Sequence, residues 1–581
     1  MKKERILVDF LKQSWPLYAV AVLLHVASSI IQVFFPQVLG RFTDALQMNG
    51  LSSGLIQKYS LLLLAIGASY VVLACAAQFL IMYIGRRFER LTRGKLFMHF
   101  TGLSERFYSK NGVGKLLSYV INDVTGVRES ISMGVNQTAS AVTLFFAVVT
   151  MMLYSGIPLF LLASSIVPLL LIPFIVTRFG PVIMQRSKKV QASLATMTES
   201  AEEQFGGIRV TKKFAVEAVM NERFFTTVDQ IKDNQLRLVR VSSIFQAIIP
   251  FLGALSLIIA ISLGGYLTVN GELSIGHFVA LTLYIRMLMN PLQQIGTVIN
   301  TMQRSRASLE RLNELLSETP DIQESKTAAS LELQGKSIHV EGLSFTYPGA
   351  RGAALRDIRL DIRPGMTIGI VGATGSGKTT LMKLLLRTYE APEGTIRFDE
   401  TDIRDITLES LRSQIGYVPQ DGFLFSTSIR DNIAFSDRGR EMDAVEESAK
   451  QAQMFENIMA FPEQFETKLG ERGVTLSGGQ RQRTSLARGF IKQAPLMILD
   501  DSVSAVDAVT ETEIMNTVRR MRKGKTTIIV AHRISAIKHA DQIIVMKGGM
   551  IAQQGTHAEL SAKPGLYASL CAIQEEGEAD G

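Results

Sequence analysis

Apolar residues in the first half of the chain gather into long unbroken runs, and the polar segments between them are unevenly charged. The first run starts behind Lys2, Lys3 and Arg5 and continues through Ile30 to Leu39. Ala27-Ser28-Ser29 loosely mimics a cleavage site, but the hydrophobicity carries on past it, farther than the apolar region of a signal peptide extends. The run therefore reads as a retained membrane helix, with Trp15, the chain's one tryptophan, at its basic end. Five more runs follow near residues 59–84, 138–154, 158–176, 244–267 and 275–299. Each has about the length needed to cross roughly 30 Å of hydrocarbon, so the pattern predicts six membrane helices and a lipid bilayer as surroundings.

Charge gives these helices a direction. Basic residues follow the second run (Arg86, Arg87, Arg90, Arg93, Lys95), the fourth (Arg178, Arg186, Lys188, Lys189) and the sixth (Arg304, Arg306). The connections after runs one, three and five carry few charges, as in Ser155-Gly156-Ile157 and Asn270-Gly271-Glu272. By the positive-inside rule both chain ends are expected in the cytosol and the odd-numbered connections outside, as in a multi-pass membrane protein. The basic connections are long and mostly free of proline, which predicts helices running out and back, with reversals at 111–114 and at Gly206-Gly207. At about 1.5 Å per residue such hairpins project tens of Å beyond the bilayer. After Thr319-Pro320 the composition turns polar through Ser330. The expected organisation is a transmembrane domain over 1–320, a linker over 321–335 and a soluble domain over 336–581.

Composition narrows the classes. With 581 residues, 47% hydrophobic and 20% charged, the chain is too long for one ordinary domain and too apolar for disorder. The net charge of +8 is not clustered on the soluble part, which argues against a nucleic-acid partner. Its two cysteines, Cys75 in an apolar run and Cys571 near the end, exclude a disulfide framework and a thiolate metal site.

The soluble part carries the chemistry. A short apolar stretch at 368–371 leads into Gly372-Ala-Thr374-Gly375-Ser376-Gly377-Lys378-Thr379 and then a helical pattern from Thr380 to Tyr389. Strand, glycine-rich loop and helix form the required setting of a phosphate-binding loop. The glycines let backbone N–H groups point at phosphate oxygens, Lys378 reaches the β and γ phosphates, and Thr379 can ligate Mg²⁺. A second buried strand, Leu496-Met497-Ile498-Leu499, ends in Asp500, placed to hold Mg²⁺ through its water shell. Between them, Leu476-Ser477-Gly478-Gly479-Gln480 opens a further helix.

Taken in order, these motifs resemble those of an ATP-binding cassette (ABC) transporter, whose signature is LSGGQ. Tyr347 matches the aromatic that stacks on adenine, Gln420 the glutamine that senses the γ-phosphate and Mg²⁺, Ser504-Ala505-Val506-Asp507 the loop between paired cassettes, and His532 the switch histidine. The segments 107–118, with Asn122-Asp123, and 207–214, with Glu217, resemble the cytoplasmic loops that hold coupling helices in ABC exporters. The resemblance covers nearly the whole chain. It implies an all-α six-helix transmembrane domain of ABC exporter type followed by an α/β nucleotide-binding domain, with ATP and Mg²⁺ as cofactors. It also implies head-to-tail cassettes, in which Ser477, Gly478, Gly479 and Gln480 complete the site of a second half-transporter chain. One position departs from the family pattern: after Asp500, where active cassettes have Glu, this chain has Asp501. An Asp there is characteristic, within the family, of heterodimeric exporters with one degenerate site, and the chain as a whole resembles the BmrC-like branch of such multidrug exporters of bacterial cell membranes. It implies a weak site in this chain, a partner with an intact Glu and small amphipathic drug-like substrates, the alternative being that the backbone adjusts and Asp501 still works. A homodimeric exporter of lipid or peptide and an ATP-gated channel or regulatory subunit stay open as alternatives. Among the intramembrane polar residues His25, Gln32, Gln78 and Arg286, Arg286 is the one whose role is left open: facing a water-filled cavity, pairing with an acid, or snorkelling.

Overall fold

The computed structural model describes residues 6–50, 52–325, 327–470, 473 and 475–579, so the basic start with Lys2, Lys3 and Arg5 lies outside the described residues. The chain divides into two compact units: Met1–Thr101 with Gly112–Glu318, and Thr319–Gly581 with Gly102–Asn111.

The apolar runs of the first unit sit inside much longer helices. These are α1 (Ile6–Asn49) and α2 (Ser53–Thr101); then, after the short α3 (Glu105–Asn111) of the second unit, α4 (Val113–Tyr154) and α5 (Leu159–Gly206). The short α6 (Ile208–Phe214) precedes α7 (Glu217–Val269) and α8 (Ile275–Ser317). Helices α1, α2, α4, α5 and α7 are long and apolar enough to cross a membrane, while the apolar stretch of α8 among the described residues is Ile275–Met289. At 49 residues α2 is about 70 Å long, more than twice the hydrocarbon thickness, so its polar end continues beyond it. Both reversals fall where glycine and loop residues predict them. Gly112 has φ 70° between α3 and α4, and Gly207 caps α5 before α6, which ends at Ala215 in the left-handed region. Each reversal also contains a short helix, α3 and α6, overlapping the segments 107–118 and 207–214 that resemble the loops holding coupling helices.

Ion pairs lock the polar halves of these helices. Glu89 on α2 is buried and meets Arg86, Arg93 and Arg128, the last from α4. Asp123 on α4 is buried against Arg311 and Ser308 of α8, at 2.5 and 2.8 Å. A buried carboxylate is tolerable only with such partners. Between the apolar halves, Leu161, Leu169, Tyr284 and Ile285 pack in one core, and the Tyr284 hydroxyl donates to the Val33 carbonyl at 3.2 Å.

The second unit is α/β. Strands β1 (Ile338–Phe345), β2 (Leu355–Ile362), β4 (Ile396–Phe398) and β5 (Thr401–Asp402) form an antiparallel sheet in the order β2-β1-β4-β5. Strands β3 (Thr367–Gly372), β6 (Ile415–Val418), β7 (Leu496–Asp500), β8 (Thr526–Val530), β9 (Gln542–Lys547) and β10 (Met550–Gly555) form the other, in the order β10-β9-β3-β8-β7-β6. From β9 to β6 this sheet is parallel. Every residue of β7 is buried, as expected for a strand covered on both faces. The carboxyl ends of β3 and β7 lie on the same edge, where ligands bind in such sheets.

The polar segment after α8 is pinned rather than free. Ala329 bridges to Ile406, Leu408 N–H donates to the Glu324 carboxylate, and the Gln323 carbonyl accepts from Arg387. Arg387 is 1% exposed and also donates to the carbonyls of Ile403 and Ile406 and pairs with Glu390. Arg387→Met is therefore expected to destabilise the second unit by about 3 kcal/mol, because it strands these acceptors. A lowered thermal midpoint of the purified chain checks this, and an unchanged midpoint contradicts it.

Candidate functional site

The loop after β3 folds as its glycines require. Gly375 and Gly377 have φ of 80° and 100°, where a side chain is strained, and a Cβ on Gly377 would come within 2.8 Å of the Ala354 carbonyl. A Cβ on Gly372 would lie 2.3 Å from the Met546 carbonyl. Helix α9 (Lys378–Leu385) starts immediately afterwards, so its free N–H groups face the loop's hollow.

A pocket of about 330 Å³ opens there, lined by Tyr347, the loop from Thr374 to Thr380, Gln420, Asp500, Asp501 and His532. Residues predicted from distant parts of the sequence thus converge. Lys378 is buried and its Nζ donates to the carbonyls of Gly372 and Ala373 at 2.7 and 3.2 Å. Burial pushes its pKa down, opposed by the charges of Asp501 and Asp500. The Thr379 hydroxyl donates to Asp500 at 3.3 Å, and the Tyr417 hydroxyl reaches the other Asp500 oxygen at 3.4 Å. Burial pushes the Asp500 pKa up, while those two hydrogen bonds pull it down. Asp501 is buried in a left-handed backbone conformation (φ 50°), and its carboxylate accepts from Gln420 Nε2 at 3.1 Å. The Tyr347 hydroxyl lies 3.1 Å from that of Thr380, and its ring packs edge-on against Phe345 and Tyr389.

The second motif lies outside this pocket. Helix α10 (Gly478–Phe490) is N-capped by Ser477, whose hydroxyl accepts from the Gln480 backbone, while the Gln480 side chain accepts from Ser477 N–H. Ser477 and Gly478 are exposed. Two residues that motif reading did not assign hold the parts together. Tyr417 orients Asp500, and the Gln482 side chain bonds the Ser504 hydroxyl and the Ala505 N–H at 3.2 and 2.8 Å. The contact of Tyr417 with a strand some eighty residues later has no local sequence signal.

These residues fit a polyphosphate with a divalent cation. The Ser376 hydroxyl is buried in the loop with no hydrogen-bond partner among the described residues, a lysine ammonium faces the same hollow, and a hydroxyl and a carboxylate stand side by side at Thr379 and Asp500. A phosphate oxygen supplies the acceptor that Ser376 lacks.

Residues 18–292 match the family described as ABC transporter transmembrane region, and 355–504 match the family described as ABC transporter. The chain is 35% identical over 558 residues to the Bacillus subtilis protein described as "Probable multidrug resistance ABC transporter ATP-binding/permease protein YheI", covering 96% of this chain and 95% of that one. The chain belongs to the ABC transporter family. It is also 33% identical to an ATP-dependent lipid A-core flippase of Syntrophus aciditrophicus, over 85% and 82% of the two chains. Among solved structures it is similar to a bacterial Atm1-family ABC exporter with ATP bound, at a TM-score of 0.79 and 25% identity over 97% and 98% of the chains. This ABC exporter therefore joins a helical transmembrane domain to an ATP-binding domain and is an ATPase coupled to transport. ABC exporters act as dimers in a membrane, and multi-pass insertion of this one follows from its helices.

Proposed function

We propose that this exporter moves drugs or other amphipathic compounds out of a bacterial cell as one half of a heterodimer of the BmrC-like kind, with its own ATP site slowed by Asp501. The observation that carries the reading is Asp501 itself: it follows the Asp500 at the end of β7 and lies in the nucleotide pocket. Its side chain is one methylene shorter than the expected Glu and is already engaged by Gln420. Similarity to a probable multidrug resistance transporter supports the substrate class. Similarity to a lipid A-core flippase favours a second reading, a homodimeric exporter of lipid.

In the proposed assembly the soluble domain is cytosolic. Tyr347 stacks on adenine, the N–H groups from Gly372 to Thr380 and the Lys378 ammonium hold the phosphates, and Thr379, Gln420 and Asp500 hold Mg²⁺. The cation, when bound, neutralises charge on the β and γ phosphates. His532 contacts the γ-phosphate, and Asp501 orients water poorly because its oxygens stop short. Exposed Ser477 and Gly478, with Gly479 and Gln480, are free to reach a partner's nucleotide.

Gly479→Leu provides a test in trans. A Cβ on Gly479 would lie 2.9 Å from the Ala505 carbonyl, so a larger side chain displaces the turn that presents the signature residues. Hydrolysis at the partner's Glu-bearing site is expected to fall about a hundredfold. ATPase activity of a verified two-chain complex reads this out, and full activity would contradict the head-to-tail arrangement. Mass measurement of the purified complex decides the composition: a stable, equally active complex of two copies of this chain favours the homodimer.

A further inference from the structure

Arg286 stands 11 residues after Ile275, the first residue of α8. At 1.5 Å per residue it lies about 17 Å along the helix, near the middle of roughly 30 Å of hydrocarbon. A cation at that depth is costly without a partner. Among the described residues no hydrogen bond or ion pair engages Arg286, although it is exposed. It faces a cavity of about 470 Å³ between α1, α2, α4 and α8, which Gln32, Tyr70, Ser140 and Gln294 also line. Among the described residues no Asp or Glu lines that cavity.

A second cavity of about 300 Å³ adjoins it, sharing Pro291 and Gln294. Its wall is almost wholly apolar, built from Ala141, Val142, Phe145, Phe146 and Leu170 with neighbouring residues of α4, α5 and α8. One chamber thus offers a guanidinium and neutral hydrogen-bonding groups, and the next offers aromatic and aliphatic surface. Both volumes lie within the range of small-molecule sites.

From this juxtaposition we infer that the membrane domain binds anionic amphiphiles, with the acid group on Arg286 and the apolar tail in the chamber lined by Ala141 and Phe145. A guanidinium pairs with a carboxylate or phosphate through two parallel hydrogen bonds, a match a neutral or cationic head cannot make. The inference deepens the export reading by naming the charge of the compound, and rests on it only for the direction of movement. Both a free amphiphilic acid and a phospholipid headgroup have this chemistry.

The test uses the full chain in nanodiscs of phosphatidylcholine, without nucleotide, and two fluorescent probes: dansyl-aminoundecanoic acid and its neutral carboxamide. Wild type is expected to bind the acid at least tenfold more tightly than the amide. Arg286→Gln removes that preference while leaving amide binding unchanged, which also shows that the variant is folded; Arg286→Lys retains part of it. Ala141→Phe, which fills the apolar chamber, weakens the undecanoate probe about tenfold but not a short-chain dansyl-glycine. Equal binding of acid and amide by wild type overturns the inference, as does a preference that survives Arg286→Gln. Loss of dimer with an unchanged acid preference also overturns it, and assigns Arg286 to an acid of a partner chain. Competition by phosphatidylglycerol that depends on Arg286 supports a lipid headgroup as the anion, and its absence with the acid preference intact supports a free acid. Because binding is read without ATP, a chain that prefers the acid yet drives no ATP-dependent uptake with any partner overturns the export reading and leaves the site standing.

Discussion

Lys378→Ala is expected to weaken ATP binding at this chain's own site by ten- to a hundredfold, the range that loss of one charge-assisted contact to phosphate implies. The effect is direct because the ammonium is already placed: it is buried and held over the hollow by the carbonyls of Gly372 and Ala373. A phosphate entering the loop draws on a donor that needs no further ordering. Removing it leaves two carbonyls without that donor and the negative charges of Asp500 and Asp501 without their nearest counter-charge in the pocket. Titration of the purified chain with a fluorescent ATP analogue measures the loss, and the thermal midpoint separates it from misfolding. Unchanged affinity would remove this pocket as the nucleotide site.

The phosphate loop was legible because its chemistry is local. Glycines at 372, 375 and 377, then a lysine and a threonine, prescribe both the backbone and the ligand within eight residues. Five of the six apolar runs were legible for the same reason, since a bilayer imposes one length on every helix that crosses it; the sixth run, within α8, keeps a shorter apolar stretch, Ile275–Met289, among the described residues. What escaped depends on chain segments far apart. The segment near 321–335 reads as a linker from its polar composition, yet Arg387, whose own surroundings carry no motif, holds the Gln323 carbonyl. Tyr417 and Gln482 act through contacts with β7 and the Ser504-Ala505 turn, which only the closed sheet brings near. The left-handed backbone at Asp501 was equally invisible, because Asp tolerates that region without glycine. Arg286 sits between these cases. Its depth was readable from the run around it, whereas its neighbours needed four helices to be assembled.

Asp501→Glu is expected to raise hydrolysis at this chain's site by up to about a hundredfold in the assembled transporter. The added methylene extends the carboxylate by more than about an ångström, the scale on which misplacement of a catalytic group costs that much rate. Charge is preserved, so the electrostatic influence on buried Lys378 and Asp500 changes little. The wild-type carboxylate accepts from Gln420 at 3.1 Å, and a longer side chain can pass that contact and still direct an oxygen to the attacking water. Glutamate in the left-handed conformation at φ 50° carries a penalty of about 1 kcal/mol, which lowers the stability of the domain slightly without cancelling a gain in rate. Vanadate trapping resolved by chain, with single-turnover hydrolysis, measures each site separately. In the wild type this site should retain ATP longer than its neighbour and hold the cassettes together between turnovers. The substitution should make the two sites alike. Equal trapping and equal rates at both wild-type sites would reject the asymmetry, since a carboxylate that reaches water as well as its neighbour's does leaves nothing for the extra methylene to restore.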